Sequence, residues 1–301
     1  MRNATDAVGS SHAGFRTPTV IKVVVGFDGS SGGHDALALG RGLGRMLASE
    51  LLVVAAYPFR EDPRPEDAER FNIPTRAAAE AVLDDARTIV GRAERPTFAA
   101  IPGSTPATAL HEVAEGEDAS VIVVGVSAEA GTRIQPASTT WVVLHHSPCA
   151  VAVAPRGWQE VDRPLARIGI AHDGKPEARA ALDAAAALLD QAQAPIDRIE
   201  IVHVAATLRS EPLPLDRTAG RLTVLGPVRG VELHGDAAAE LVEYADHVDL
   251  LVLGAHDRGP LGRLLLGSVS REVVEHVRTP VLVRPWRRSY AAALGRAAAF
   301  L

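Results

Sequence analysis

One cysteine, Cys149, stands in a chain of 301 residues. No disulfide can close within the chain, and a reducing cytoplasm is the expected setting. Basic charge is in deficit: 31 Lys and Arg face 37 Asp and Glu, for a formal net charge of −6. That balance excludes a general attraction to nucleic acid or to an anionic membrane. No apolar run approaches the ~18 residues needed to cross a bilayer, and the opening MRNATDAVGSSHAGFRTPTV lacks the apolar core of a secretory leader. Residues 1–19 read as a disordered lead-in. Aromatic residues are only 4%, whereas hydrophobic residues reach 47% and charged residues 23%. The core is therefore aliphatic, and the composition is that of a globular chain long enough for two domains.

Internal repetition is what the sequence does have. VVVGFDG at 23–29 corresponds to IGIAHDG at 168–174, and the same offset carries Ala36–Leu37 onto Ala181–Leu182. ASVIVVG ending at Gly125 matches VDLLVLG ending at Gly254, and HHSPCAVAVAP at 145–155 matches VRTPVLVRP at 277–285. The copies run over 20–155 and 166–286. Residues 156–165, part of RGWQEVDRPLA, suit an exposed linker, and 287–301 form a tail.

Each copy alternates short β-branched runs with Ala- and Leu-rich segments of helical period. Strands are expected at 23–26, 51–55, 97–101, 121–124 and 150–153, and again at 168–171, 198–204, 228–233, 250–253 and 281–283. Helices are expected at 33–49, 75–93, 107–116, 176–192, 236–246 and 268–278. Strands that are apolar throughout are covered on both faces, and the alternation implies parallel pairing with right-handed crossovers. The fold class is α/β: two tandem Rossmann-like domains, each a doubly wound parallel sheet with helices on both faces.

The stretch DGSSGGHDA, Asp28–Ala36, poses a choice. Ser31–Gly32–Gly33 resembles the SGGxDS phosphate loop of ATP pyrophosphatases, yet the second copy has Pro176–Glu177–Ala178 there while keeping Asp173–Gly174 opposite Asp28–Gly29. The recurring feature is an aspartate at the carboxyl end of the first strand, where open α/β sheets bind ligands. The SGG reads instead as a helix start of small residues.

VVVGFDGSSGGHDALALG and DLLVLGAHDRGPLGRLLLGSVSREVVEHVRTPVLVRP together resemble the universal stress protein family. The second stretch contains the spacing of that family's phosphate loop, G-x2-G-x9-G-[ST], as Gly254, Asp257 and Gly267–Ser268. The resemblance implies a five-stranded parallel sheet per domain, of the adenine nucleotide alpha hydrolase-like kind, ATP binding and a regulatory role in stress. It also implies antiparallel pairing of the last strands, here between the two domains of one chain, with a homodimer as a further option for the tail. Carried onto this chain, Asp173 contacts ribose or adenine and Val204 lines the base. Gly254, Gly267, Ser268, Val269 and Ser270 surround the phosphates, with His256, Asp257 and Arg258 in the same loop and Arg258 or Arg263 neutralising charge. On physical grounds alone, a strand, a glycine turn and a helix opening at Gly267–Ser268 also suit a phosphate. The plain counterpart is that Ser268 or Ser270 only caps the helix and Asp173 only its own turn.

Asp257 replaces the middle glycine. It opposes the phosphates, holds a divalent metal such as Mg2+ against them, or turns to solvent against Arg258. A full charge about 4 Å from another costs on the order of 4 kcal/mol at an effective dielectric near 20. The first copy departs further, with Ala128 at the middle position and Ala137–Ser138 for Gly-Ser, one residue early. Asp28, Gly125, Ser138 and Thr139 form its weaker site. His145–His146 reads as a solvated pair at a helix end with no metal-ligand spacing. No residue is identifiable as a catalytic base, so the chain reads as a non-enzyme. The alternative to an ATP-binding regulator is a nucleotide-independent interaction protein with eroded sites.

Overall fold

The structure is a computed structural model that describes residues 21–59, 65–90, 96–126, 138–161, 163–173, 176–205, 222–223, 225–254 and 266–284. The first half comprises β1 (Lys22–Gly26), α1 (Ser31–Leu47), β2 (Glu50–Pro58), α2 (Pro65–Ile89), β3 (Thr97–Gly103), α3 (Pro106–Gly116), β4 (Val121–Gly125), α4 (Thr139–His146) and β5 (Ala150–Ala154). The second comprises β6 (Arg167–Ala171), α5 (Pro176–Leu189), β7 (Arg198–Ala205), β8 (Val228–His234), α6 (Ala237–Ala245), β9 (Leu250–Gly254), α7 (Ser268–His276) and β10 (Val281–Arg284). The lead-in and the tail lie outside the described residues.

All ten strands join one sheet in the order β3-β2-β1-β4-β5-β10-β9-β6-β7-β8. Within each half the pairing is parallel, as the uniformly apolar strands require. At the seam β5 and β10 run antiparallel, with Val281 opposite Val153 and Val283 opposite Val151. The two strands that would otherwise expose unpaired backbone thus satisfy one another.

Two apolar layers cover the sheet, and both run from one half into the other. Leu37, Leu39 and Leu43 of α1, Leu83 of α2 and Leu182 of α5 fill one layer. Leu110 of α3, Val143 of α4, Leu241 of α6 and Val273 of α7 fill the opposite one. Burying each such side chain contributes about 1.5–3 kcal/mol.

One expectation changes and another is sharpened. Helix α2 begins at Pro65, ten residues before the apolar period predicts, and Pro74 lies inside it. There the Thr75 hydroxyl donates to the carbonyls of Phe71 and Asn72, at 3.1 and 3.0 Å, in the turn that Pro74 interrupts. The connecting segment is exposed along most of its length, as expected, but it is anchored at a few points. Trp158, Leu165 and Ala166 are buried, and the buried carboxylate of Asp35 accepts the N–H groups of Gly157 and Gln159 at 3.0 and 2.8 Å. The end of α1 is tied to the second half as well, for the Met46 carbonyl accepts the Gln193 N–H at 2.8 Å.

Candidate functional site

Strands β1 and β4 are neighbours, yet α1 and α4, which follow them, pack on opposite faces. The carboxyl ends therefore part, the position at which doubly wound sheets take ligands. In the first half this opens a cavity of about 340 Å³, lined by Asp28 and Gly32, the apolar wall of Val54, Ala56 and Leu110, and the start of α4.

The small residues of the opening stretch are explained by packing. Ser30 caps α1 by accepting the Gly33 N–H, and its hydroxyl donates to Asp28 at 2.6 Å while its N–H reaches the same oxygen at 3.0 Å. A Cβ on Gly33 would sit 2.5 Å from that oxygen, and one on Gly125 would sit 1.8 Å from the Gly32 carbonyl oxygen. Glycine is thus required where α1 crosses the end of β4.

At the start of α4, Ser138 caps the helix by accepting the Trp141 N–H at 3.3 Å, and Thr139 is half-buried on the cavity wall. Sequence reading passes over Thr140, whose hydroxyl donates to the Gly125 carbonyl at 2.7 Å. Ser270 does the same for Gly254 at 3.1 Å in the second half. The shared signal was a hydroxyl in the first turn of both helices, the second residue of α4 and the third of α7, hidden by that one-residue offset.

In the second half, exposed Asp173 follows the end of β6, half-buried Val204 lies on β7, and Gly254 closes β9. Gly267 is the N-cap of α7, with Ser268 exposed, Val269 half-buried and Ser270 buried. Among the described residues no side chain caps α7, in contrast to α1, α3, α4 and α6, which Ser30, Thr105, Ser138 and Asp236 cap. The first amides of a helix carry its positive dipole end and are left for an anion when no side chain takes them. His256, Asp257, Arg258 and Arg263 lie outside the described residues, as do Ala128 and Ala137.

Gly29–Gly33 matches G-x-S-x-G on a strand–turn–helix, which corrects the expectation that the chain has no such elbow. The nearby His34 directs Nδ1 to the Ser30 carbonyl at 2.8 Å and Nε2 to Asp85 at 3.2 Å, which leaves neither nitrogen for the Ser31 hydroxyl. His145 is buried rather than solvated, its Nδ1 2.8 Å from the Trp141 carbonyl and its ring against the Trp141 ring. Among the described residues no group of three His, Cys, Asp or Glu can hold a metal. Burial pushes the Cys149 thiol up to about 12, so it is no nucleophile.

The remaining buried charges act in folding. Glu200 of β7 meets Arg198 at 3.0 Å, Arg229, and the Tyr244 hydroxyl of α6. Burial and the Glu200 carboxylate push the Tyr244 phenol far up, which keeps its proton available to donate. Burial raises Asp249, but the Arg167 side chain and N–H outweigh it and hold the carboxyl below its usual range. Burial also raises Asp35, against its two backbone donors.

Comparison with known proteins agrees with this layout. The model of the universal stress protein family matches residues 20–155 and 224–285, more than half of the chain. A universal stress protein of Methanocaldococcus jannaschii is 41% identical over 61 residues, 18% of this chain and 36% of that protein, so the match spans about a third of the relative's length. The crystal structure of a universal stress protein from Archaeoglobus fulgidus superposes with a TM-score of 0.62 at 20% identity, covering 88% of this chain and 98% of that one. A second, from Pseudomonas aeruginosa, gives 0.56 at 17%, covering 93% and 98%. At these identities the structural likeness establishes the fold.

Proposed function

We infer, from the premise that this chain belongs to the universal stress protein family, that it is a regulator that binds ATP in its second half. Its output is a change of oligomeric state or of protein partner. The observation that carries the reading is the start of α7: a glycine N-cap with no side-chain cap among the described residues, one strand over from Asp173 and two from Val204. An anion there meets unpaired N–H groups and the helix dipole together. Asp173 faces the ribose, Val204 the base, and Gly267, Ser268 and Val269 the phosphates. Ser270 serves the site indirectly by anchoring α7 to Gly254. His256 and Arg258 join from the loop, and Mg2+ held by Asp257 offsets the charge that this residue adds.

The same reading makes the protein cytoplasmic and a binder rather than a catalyst. The test is calorimetric titration of ATP, with and without magnesium, into the unmodified chain and into Gly267→Glu. Binding that is lost in Gly267→Glu supports the site; binding that survives it removes the site from α7.

A nucleotide-independent interaction protein is the second reading. It is favoured by the first cleft, where Ser138 already occupies the α4 amides and Ser30 holds Asp28. Nucleotide released in stoichiometric amount on denaturing freshly purified protein contradicts it.

A further inference from the structure

The loops that lead into α4 and α7 differ by one residue, Thr140 lying 15 positions after Gly125 and Ser270 16 after Gly254, yet the two helices meet. Thr140 and Ser270 make the same hydroxyl bond to the end of their strands, so the residues that follow them, Trp141 and Arg271, are equivalent. Across the β5–β10 seam these two residues touch: the Arg271 guanidinium lies over the Trp141 ring, 4.6 Å from its centre. Each is also bound by its backbone to its own cleft. The Trp141 N–H donates to the Ser138 hydroxyl at 3.3 Å, and the Arg271 N–H donates to the Gly267 carbonyl at 2.9 Å. Behind the pair, Glu275 holds Arg271 at 2.9 Å and His145 stacks on Trp141 at 4.0 Å between ring centres.

We propose that the path Gly267–Arg271–Trp141–Ser138 couples the two clefts, so that a nucleotide bound at α7 changes the packing of Trp141 and the start of α4. This rests on the reading that ATP binds at α7. A phosphate at the α7 amides repositions Gly267, and the Arg271 amide moves with the carbonyl it bonds. The guanidinium is a cation over an aromatic face, an attraction that depends on separation and tilt. Its displacement alters Trp141, and through the Trp141 N–H it alters the Ser138 cap on the cavity of the first half. Coupling of this kind is a free energy shared by two sites, hence reciprocal.

The experiment uses the full chain, with ATP as the probe, read by calorimetry and by tryptophan emission. The expected result is an emission change that saturates with the calorimetric isotherm and is lost in Trp141→Phe and in Arg271→Ala, both of which keep the ATP affinity. Gly267→Glu loses heat and emission change together. Heat without an emission change overturns the coupling and leaves the site standing, as does a change that survives Trp141→Phe. An emission change with heat that persists in Gly267→Glu assigns the nucleotide to the first cleft and overturns transmission across the seam. Absence of heat in the unmodified chain overturns the nucleotide reading, and the coupling with it.

Discussion

The two halves share strand order, helix placement and an aspartate after the first strand, yet their clefts are finished differently. In the first half α1 begins with glycines that lie against Gly125, and Ser30 and Ser138 occupy the polar groups a ligand would use. In the second half Pro176–Glu177 stand where the first has Ser31–Gly32, and α7 starts on a bare Gly267. One copy has capped its helix start with a serine, and the other begins on a glycine with no side-chain cap among the described residues. The difference teaches that a shared fold positions a site, while the capping residues decide whether the site is open.

The largest effect expected of breaking this comparison is at the strand-end glycines. Gly125→Ala places a Cβ against the backbone of Gly32 and should cost about 3 kcal/mol, because α1 must shift. Gly254→Ala, facing a helix that starts without those glycines, should cost less. Urea denaturation of both variants measures the gap, and equal losses would mean that α5 approaches β9 as closely as α1 approaches β4.

The next effect concerns a core position. Register places Glu200 where the first half has Leu52. Glu200→Ala should cost about 2 kcal/mol, mostly by stranding the buried Tyr244 hydroxyl. Restoring the first-half pattern with Glu200→Leu and Tyr244→Phe together should recover most of that loss, since a buried ionic cluster often exchanges for apolar packing at little cost. Failure to recover would show that Arg198 and Arg229 need the carboxylate.

The smallest effects separate the clamps at the amino ends of the sheets. Lys22 pairs with Glu117 on the surface, whereas Arg167 pairs with the buried Asp249. Asp249 is depressed in the folded chain, so its stabilisation is present above the ordinary aspartate range and fades as pH falls through it. Asp249→Asn should therefore be less stable than the unmodified chain at pH 7, by about 1–3 kcal/mol, with the gap closing below about pH 4. Lys22→Ala should leave the denaturation midpoint unchanged at either pH.

Much of this layout was legible residue by residue. Strands such as VIVVG at 121–125 announce themselves because a strand covered on both faces has no polar alternation to hide it. The start of α7 at Ser268 was legible from the spacing of Gly254, Gly267 and Ser268. The role of Thr140 was not, because its partner is a carbonyl 15 residues away. The anchoring of the connector was not either, since Asp35 of α1 reaches Gly157 across 122 residues.

By itself the sequence determined the repeated α/β order, the family and the aspartate and glycines that mark two clefts, because apolar period and loop spacing are local properties of the chain. Only the tertiary structure decided that Asp35 of α1 holds the connector, that Thr140 and Ser270 tie their helices to the strand ends, and that Arg271 lies on Trp141. Those outcomes depend on contacts between residues far apart in the chain, which no local pattern records.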